Sequence, residues 1–141
     1  VCNGFQILCE AGLLPGALLQ NDHQKFICKN TWIKSENDQS AITKQVKGLP
    51  LNIPIAHGEG RYYAEASIIR ALEDNQQVIF KYCDIQGDTS LGNPNGSTNN
   101  IAGICNEGRN VFGMMPHPER ACSSILGNVD GLKIFNSLIN N

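Results

Sequence analysis

The stretch from Val1 to Gln6 constrains the fold more than any other part of this chain. Cys2 is followed two positions later by Gly4 and then by residues compatible with a helix. This is the second half of a strand-turn-helix elbow, a turn that presents one side chain at the top of a sheet. We expect Gly4 to permit close packing, because a β-carbon there would crowd the neighbouring strand. The helix should end at Gly12, a common helix stop. Its inward face is predicted to consist of Ile7, Leu8 and Ala11.

The side chain presented by the elbow is a thiol, which needs a proton shuttle to act as a nucleophile. Cys2 would face the positive end of the helix dipole, which favours the thiolate near neutral pH. Far along the chain, His117 stands between two prolines and two residues before Glu119. Each proline pushes the preceding residue out of the helical region, so the segment should be extended and Glu119 can lean toward His117. A carboxylate that holds one imidazole nitrogen leaves the other free to act as a base. Cys2, His117 and Glu119 are therefore a candidate catalytic triad.

Hydrophobic periodicity predicts an α/β domain, because strands alternate with amphipathic helices along the chain. The predicted strands are Phe26–Ile33, Leu51–His57, Gln77–Tyr82, Ile101–Cys105 and Val111–Met115, and the predicted helices are Tyr62–Asn75 and Val129–Ile139. The last two strands should form a hairpin that delivers His117 and Glu119 at its end. The segment from Cys83 to Asn100 lacks periodicity, and its composition predicts an exposed loop.

Composition and charge exclude several classes of function. Eleven basic and thirteen acidic side chains give a net charge of −2, and no basic run occurs, so a nucleic-acid partner is not expected. The six cysteines lack paired C-x-x-C spacing, and no signal peptide or long apolar run is present. A reduced, cytoplasmic protein without a membrane segment is expected, with the cysteines other than Cys2 as buried or incidental thiols. Since neither Cys nor His clusters at ligand spacing, no metal site is expected.

Two groups of motifs resemble a known family. Cys2–Gln6 and Pro116–Arg120 resemble the motifs of the class I, or triad, glutamine amidotransferases. More narrowly, the chain resembles the glutaminase subunits of phosphoribosylformylglycinamidine synthase, an enzyme of de novo purine synthesis. The narrower resemblance is carried by Leu13–Leu19, Pro54–Tyr62, Asn93–Ser97 and Ile101–Ile104, which occur in the family's order.

The resemblance implies a fold and a place within it. The family has a flavodoxin-like α/β fold, with an open, mostly parallel sheet and flanking helices. Residues 1–141 correspond to the C-terminal portion of that domain, beginning at the elbow. The family's earlier strands, and the Gly-rich loop whose amides build the oxyanion hole, precede that elbow. We therefore expect this stretch to be part of a longer protein and not an efficient enzyme by itself.

The resemblance also implies a reaction and its participants. Cys2, His117 and Glu119 match the family's catalytic triad, and Gln6 matches a residue that contacts the substrate glutamine, although it could equally be an exposed residue of the first helical turn. His57 and Asn93–Ser97 would lie near the mouth of the site. Glutamine would be hydrolysed to glutamate and ammonia, and the ammonia would pass to an ATP-dependent synthetase subunit, with a small bridging subunit in multi-subunit forms. No cofactor is expected in this chain, and ATP and Mg²⁺ would bind the synthetase.

Two other interpretations stay open at this point. A different triad amidotransferase or a cysteine hydrolase would share the elbow and the His/Glu pair, but it would leave the purine-specific blocks unexplained. A non-catalytic docking module could activate a synthetase without hydrolysing glutamine. The presence of Cys2, His117 and Glu119 argues against the docking module.

Overall fold

The structure, a computed structural model, describes residues 1–140 and contains two antiparallel sheets with three α-helices in that range. In chain order the elements are α1 (Asn3–Glu10), β1 (Ala17–Leu19), β2 (Ile27–Lys34), β3 (Leu51–His57), β4 (Arg61–Tyr63), α2 (Ala66–Asp74), β5 (Val78–Cys83), β6 (Ile101–Cys105), β7 (Phe112–Met114) and α3 (Asp130–Ile139). Short 3₁₀ turns occupy Thr98–Asn100, Pro118–Arg120 and Ser124–Leu126.

The main sheet has five strands in the order β3-β2-β5-β6-β7, and each neighbouring pair is antiparallel. The α/β class is confirmed, but the expected mostly parallel direction is wrong for the strands of residues 1–140. Parallel neighbours need a crossover, usually through a helix. In the described chain only α2 lies between two strands, β4 and β5, and these belong to different sheets. No parallel strand-helix-strand unit therefore forms in this range.

Two hydrophobic clusters flank the main sheet and account for the helices on either side of it. One cluster joins Phe5 of α1 to Ile69 and Leu72 of α2. The other joins Ile134 of α3 to strand residues such as Ile53. The predicted flanking helices are thus confirmed, although α3 buries less of its apolar surface than expected, since Leu138 and Ile139 are exposed.

Strand positions agree closely with the sequence pattern. The β3 and β6 strands have the predicted bounds, and β2, β5 and β7 differ from prediction by one residue at each end. The predicted hairpin of β6 and β7 is confirmed, with Gly103 opposite Met114. Buried and half-buried residues alternate along β3, and this alternation is the pattern that predicts a strand.

The helix predicted from Tyr62 begins four residues later, and this correction has a packing cause. Tyr62 belongs to β4, where it pairs with Leu18 of β1. Its ring stacks on Phe5 with a centroid distance of 5.9 Å, and its hydroxyl donates to the Pro15 carbonyl at 2.7 Å. These tertiary contacts hold Tyr62 in an extended conformation, and the neighbouring Tyr63 is exposed.

Helix α1 ends as predicted but turns a different face inward. The Gly12 amide donates to the Cys9 carbonyl and the Leu13 amide to the Leu8 carbonyl, with Gly12 at a φ of +72°, which is a Schellman motif. The buried residues are Phe5 and Cys9, whereas the predicted Ile7 and Ala11 are exposed. The inward face differs from the prediction because the Phe5 ring stacks on Tyr62.

Candidate active site

The elbow at Cys2 is confirmed by its backbone. Cys2 has φ 51° and ψ −109°, a conformation that residues with a side chain rarely adopt, and α1 starts at the next residue. Its N–H donates to the Met114 carbonyl of β7 at 2.8 Å, while its own carbonyl accepts from Phe5 at 2.9 Å. Such strain costs about 1–3 kcal/mol and is concentrated at functional sites. The geometry therefore marks Cys2 as the residue that the turn is built to present.

The glycine that permits close packing near the elbow is Gly113 and not Gly4. Among residues 1–140, no atom lies within 4 Å of a β-carbon built on Gly4, so the expected crowding there is wrong. The close approach occurs at Gly113 of β7, where a β-carbon would overlap the Phe5 ring and come within 2.7 Å of Leu14. Gly113 is therefore the glycine that lets α1 pack against the sheet.

His117 and Glu119 are paired as the sequence predicted. His117 Nδ1 and Glu119 Oε1 are 2.6 Å apart. The expected extended segment is wrong, because Pro118–Arg120 forms a 3₁₀ turn that brings the carboxylate back toward the ring. His117 is 7% exposed, whereas the Glu119 side chain is 48% exposed. With Nδ1–H donating to the carboxylate, Nε2 is left as the acceptor, and it is buried with no protein partner among the described residues. An imidazole held in this way can receive a proton through Nε2.

The outer edge of β3 brings the two ends of the chain together. The Pro54 carbonyl accepts a hydrogen bond from the His117 N–H at 2.8 Å, and the Ala56 carbonyl accepts one from the Cys2 thiol at 3.7 Å. Carbonyls of alternate residues point the same way, about 7 Å apart along a strand. Pro54 is tolerated because β3 is an edge strand, where the missing N–H interrupts no ladder. Cys2 and His117 are thus anchored next to each other on one strand.

Gln6 has a structural partner inside the chain. Its side-chain Nε2 donates to the Glu59 carbonyl at 2.6 Å, which ties α1 to the turn that follows β3. Gln6 also lines a surface depression of about 490 Å³, together with Asn3, Ile7 and Glu10. Its contact with substrate glutamine stays a prediction.

A cluster of buried polar side chains forms around Asn95, in the segment for which the composition predicted an exposed loop. Asn95 is fully buried, and its Nδ2 lies 3.0 Å from His57 Nε2 and 2.9 Å from the Gly60 carbonyl. Ser97 donates to Asn95 Oδ1 from both its N–H and its hydroxyl, at 3.1 and 2.7 Å. The expectation of an exposed loop is therefore wrong at Asn95 and Ser97. Asn-Pro-Asn-Gly-Ser is rich in residues that hydrogen-bond their own backbone, which was the usable signal.

Burial shifts the pKa of two side chains that contact Asn95, those of His57 and Tyr82. Burial, with smaller effects from the charges of His117 and His23, lowers the pKa of His57 to about 4. Burial raises the pKa of the Tyr82 hydroxyl, the hydrogen bond from Asn95 opposes that rise, and a Cys2 thiolate adds to it.

The buried thiols are poor competitors for Cys2. Burial raises the pKa of both Cys9 and Cys83 to about 11, and it also raises the pKa of Cys105. These thiols stay protonated near neutral pH and are shielded from reagents. Cys2 is partly exposed, so it is accessible where those three are not.

Residues 1–140 contain neither a metal-binding cluster nor a membrane-spanning helix. No group of three or more His, Cys, Asp or Glu side chains in that range is placed to hold a metal ion. Within the same range, no helix has the length and apolar character needed to cross a bilayer.

Comparison with known proteins shows the family of this chain. The chain belongs to the CobB/CobQ-like glutamine amidotransferase domain family, which it matches over residues 1–134. It is 55% identical over 141 residues to phosphoribosylformylglycinamidine synthase subunit PurQ of Aquifex aeolicus (strain VF5). That alignment covers 99% of this chain and 62% of the relative.

A solved structure shares the fold. A chain in the structure of PurLQS from Thermotoga maritima superposes with a TM-score of 0.81 at 46% identity, covering 98% of this chain and 58% of that one. The α/β fold is thereby confirmed. The chain spans about three fifths of the length of both relatives.

Proposed function

We propose that the protein containing this chain is the glutaminase component of phosphoribosylformylglycinamidine synthase, which releases ammonia from glutamine for purine biosynthesis. The observation that carries the proposal is the convergence of a strained, thiol-bearing elbow and a carboxylate-held imidazole on one edge of β3. Membership of the amidotransferase domain family and the 55% identity to a PurQ subunit support the substrate and the pathway.

The chemistry begins with attack of the Cys2 sulfur on the carboxamide carbon of glutamine. His117 Nε2 takes the thiol proton and gives it to the leaving nitrogen, so that the C–N bond breaks and ammonia departs from a thioester. His117 Nε2 then takes a proton from water while the water oxygen attacks the thioester carbon. Glutamate leaves, and the proton returns to the Cys2 sulfur. Glu119 holds the ring tautomer and stabilises the imidazolium formed in each half-reaction.

The negative oxygen of each tetrahedral intermediate requires hydrogen-bond donors. The N–H of Asn3, which follows the nucleophile at the start of α1, is one candidate because the first amides of a helix lack intrahelical partners. Each such donor contributes about 3 kcal/mol to transition-state stabilisation. Further donors would come from the Gly-rich loop that the family resemblance implies.

Ammonia released into water at neutral pH becomes ammonium, which is not a nucleophile. The proposal therefore includes a synthetase partner that receives ammonia by a closed route, binds ATP and Mg²⁺, and makes formylglycinamidine ribonucleotide, with a small bridging subunit in the complex. The similarity to a chain of PurLQS supports such an assembly. All six cysteines are free thiols, which is consistent with work in the reducing cytoplasm.

Replacing Cys2 in the natural full-length protein with its synthetase tests this function. Cys2→Ala should lower glutamine-dependent synthesis by at least roughly 10,000-fold while leaving ammonium-dependent synthesis intact, because only the thioester route needs the sulfur. The matched control is Cys28→Ala, which removes an exposed thiol from β2 and should retain both rates. Glutamine-dependent synthesis that survives Cys2→Ala would contradict the proposal and favour a docking module.

Chemical labelling adds a direct readout of the same thiol. An electrophilic glutamine analogue followed by mass-spectrometric mapping should modify Cys2 selectively, and excess glutamine should suppress the reaction. Cys9, Cys83 and Cys105 should stay unmodified, because burial keeps them protonated and inaccessible. Unselective labelling of the folded protein would count against a glutamine pocket at Cys2.

A further inference from the structure

Two buried imidazole nitrogens stand out beside the candidate site. Among residues 1–140, His57 Nδ1 and His117 Nε2 are the buried side-chain polar atoms that have no hydrogen-bond partner. Buried polar atoms are nearly always paired, so each unpaired atom calls for a physical explanation. His117 Nε2 is explained by its proposed work as the base. His57 Nδ1 has no role in the reaction described so far.

The hydrogen bonds around Asn95 determine which nitrogen of His57 carries its proton. The Ser97 N–H can only donate, so the atom that it meets at 3.1 Å must be the oxygen of the Asn95 amide. The Asn95 nitrogen therefore points to the other side, where it donates to the Gly60 carbonyl at 2.9 Å and to His57 Nε2 at 3.0 Å. His57 Nε2 is an acceptor and is unprotonated. In a neutral ring the proton then lies on Nδ1, which becomes an unpaired donor.

The His57 ring stays neutral and is held in place. His57 is 3% exposed, and the groups whose charges reach it, His117 and His23, are both potential cations that oppose its protonation. Gly60 lies so close that a β-carbon on it would overlap the ring. Asn21 Nδ2 donates to the His57 carbonyl at 3.0 Å, and Asn21 Oδ1 accepts from the Gly60 N–H at 3.2 Å. A rigid, neutral ring with one free donor is therefore built into this end of β3.

The donor belongs to the strand whose carbonyls bind both reacting residues. His57 directly follows Ala56, whose carbonyl accepts the Cys2 thiol, and Pro54 of the same strand anchors His117. His117 is close enough for its charge to lower the pKa of His57. The strand β3 thus carries an unpaired donor on His57 and anchors His117, whose unpaired acceptor has the opposite hydrogen-bonding need.

We propose that His57 is a further residue of the glutaminase site, whose Nδ1–H donates to a small neutral molecule that in turn donates to His117 Nε2. Two molecules of the reaction have this chemistry: the ammonia that leaves glutamine and the water that hydrolyses the thioester. In the first case His57 binds the nitrogen after the C–N bond has broken. In the second it holds the water oxygen while His117 removes a proton and the oxygen bonds to the thioester carbon. The inference rests on the proposed function of Cys2 and His117.

A matched pair of variants in the natural full-length protein separates this role from simple packing. The amide nitrogen of asparagine falls near the place of Nδ1, whereas the amide of glutamine reaches the place of Nε2. His57→Asn therefore keeps the proposed donor and loses the bond to Asn95, while His57→Gln keeps the bond to Asn95 and loses the donor. We expect His57→Gln to lower kcat for glutamine hydrolysis by about 10- to 100-fold, and His57→Asn to lower it less. An unchanged kcat in His57→Gln, or a larger loss in His57→Asn than in His57→Gln, would show a structural role and overturn the proposal.

Trapping the thioester distinguishes the two molecules. If His57 holds the hydrolytic water, the acyl-enzyme should accumulate in His57→Gln, be visible by mass spectrometry after acid quench, and disappear faster with added hydroxylamine. If His57 holds the departing ammonia, acylation should slow and no acyl-enzyme should build up. A wild-type protein without glutaminase activity would instead mean failure of the proposed function, so the two failures are distinguishable.

Nitrogen NMR of ¹⁵N-histidine-labelled wild-type protein tests the basis of the inference without relying on any variant to fold. The His57 signals should show a neutral ring protonated on Nδ1 at pH 7 and should shift when an electrophilic glutamine analogue occupies Cys2. A proton on Nε2, or a ring unaffected by occupation of Cys2, would refute the proposal.

Discussion

The regions around His117 and His57 use the same side chain in opposite ways. Each ring is buried and has one nitrogen paired and one unpaired within the described residues. The partner of His117 is the carboxylate of Glu119 at 2.6 Å, whereas the partner of His57 is the amide of Asn95 at 3.0 Å. A carboxylate accepts a hydrogen bond from Nδ1–H and stabilises a positive ring, while an amide nitrogen donates to Nε2 and does nothing for a positive charge. The partner's chemistry therefore decides whether a buried imidazole can act as a base or only as a neutral donor.

Solvent access reinforces this contrast. Glu119 is about half exposed, so its charge remains hydrated while it supports His117. Asn95 and Ser97 are buried and neutral, and within residues 1–140 no charged side chain bonds directly to His57. The surroundings of His117 can therefore stabilise a positively charged ring, whereas the surroundings of His57 favour a neutral ring.

The largest expected effect comes from removing the charge of Glu119, which would make the partner of His117 resemble the partner of His57. Glu119→Gln gives His117 a neutral amide like the one that His57 has, and we expect kcat for glutamine hydrolysis to fall by roughly 100- to 1,000-fold, because the imidazolium loses its counter-charge. The measurement is steady-state glutaminase activity of the full-length protein. Glu107→Gln, on the exposed turn between β6 and β7, is the control and should match wild type. Equal activity of the two variants would remove the carboxylate from the mechanism.

The second prediction concerns acid stability and the neutral ring of His57. The pKa of His57 falls from its ordinary value of 6.5 to about 4 on folding, mainly because of burial. Between these values the unfolded chain binds a proton that the folded protein excludes, so the free energy of unfolding decreases as pH falls from 6.5 to 4. The loss should approach about 3 kcal/mol at the lower end. It can be measured by urea denaturation across this range.

The control for acid stability is His57→Gln, which cannot titrate. Carboxylates with lowered pKa values, such as Asp130, also cost stability in acid, but they do so equally in both proteins. The difference in pH dependence between wild type and His57→Gln therefore isolates the ring. If both proteins lost stability in parallel between pH 6.5 and 4, His57 would not be the excluded proton site.

The smallest expected effect comes from the glycines that follow β3. Gly60→Ala would place a methyl group against the His57 ring and should lower the free energy of unfolding by about 1–3 kcal/mol through overpacking. Gly58→Ala is the matched control, because a β-carbon there meets only Phe26 at 3.8 Å, an ordinary contact. Thermal denaturation should rank Gly60→Ala below Gly58→Ala. Equal stabilities would mean that the ring of His57 can shift without cost.

The difference between the two histidines also shows what could be predicted before the structure was known. The pairing of His117 with Glu119 was predictable, because the two residues are two positions apart and the prolines on either side limit the backbone. His57 and Asn95 are separated by 38 positions, and no local rule links them. The polar composition around Asn95 predicted exposure to solvent. The Asn95 side chain is buried instead, because the folded chain supplies hydrogen-bond partners that the local sequence does not reveal.

Short-range patterns in this sequence determined the elbow at Cys2, the Gly12 cap that terminates α1, the bounds of β3 and the hairpin of β6 and β7. Each depends on residues that are close along the chain, where steric and hydrogen-bonding preferences act directly. Tertiary structure alone decided that the strands run antiparallel, that Tyr62 is extended, and that Phe5 packs on Gly113 instead of Gly4 lying against a strand. It also placed Cys2 and His117 on one edge of β3. These features depend on which distant surfaces pack together, a choice made by the free energy of the whole core and not by any single segment.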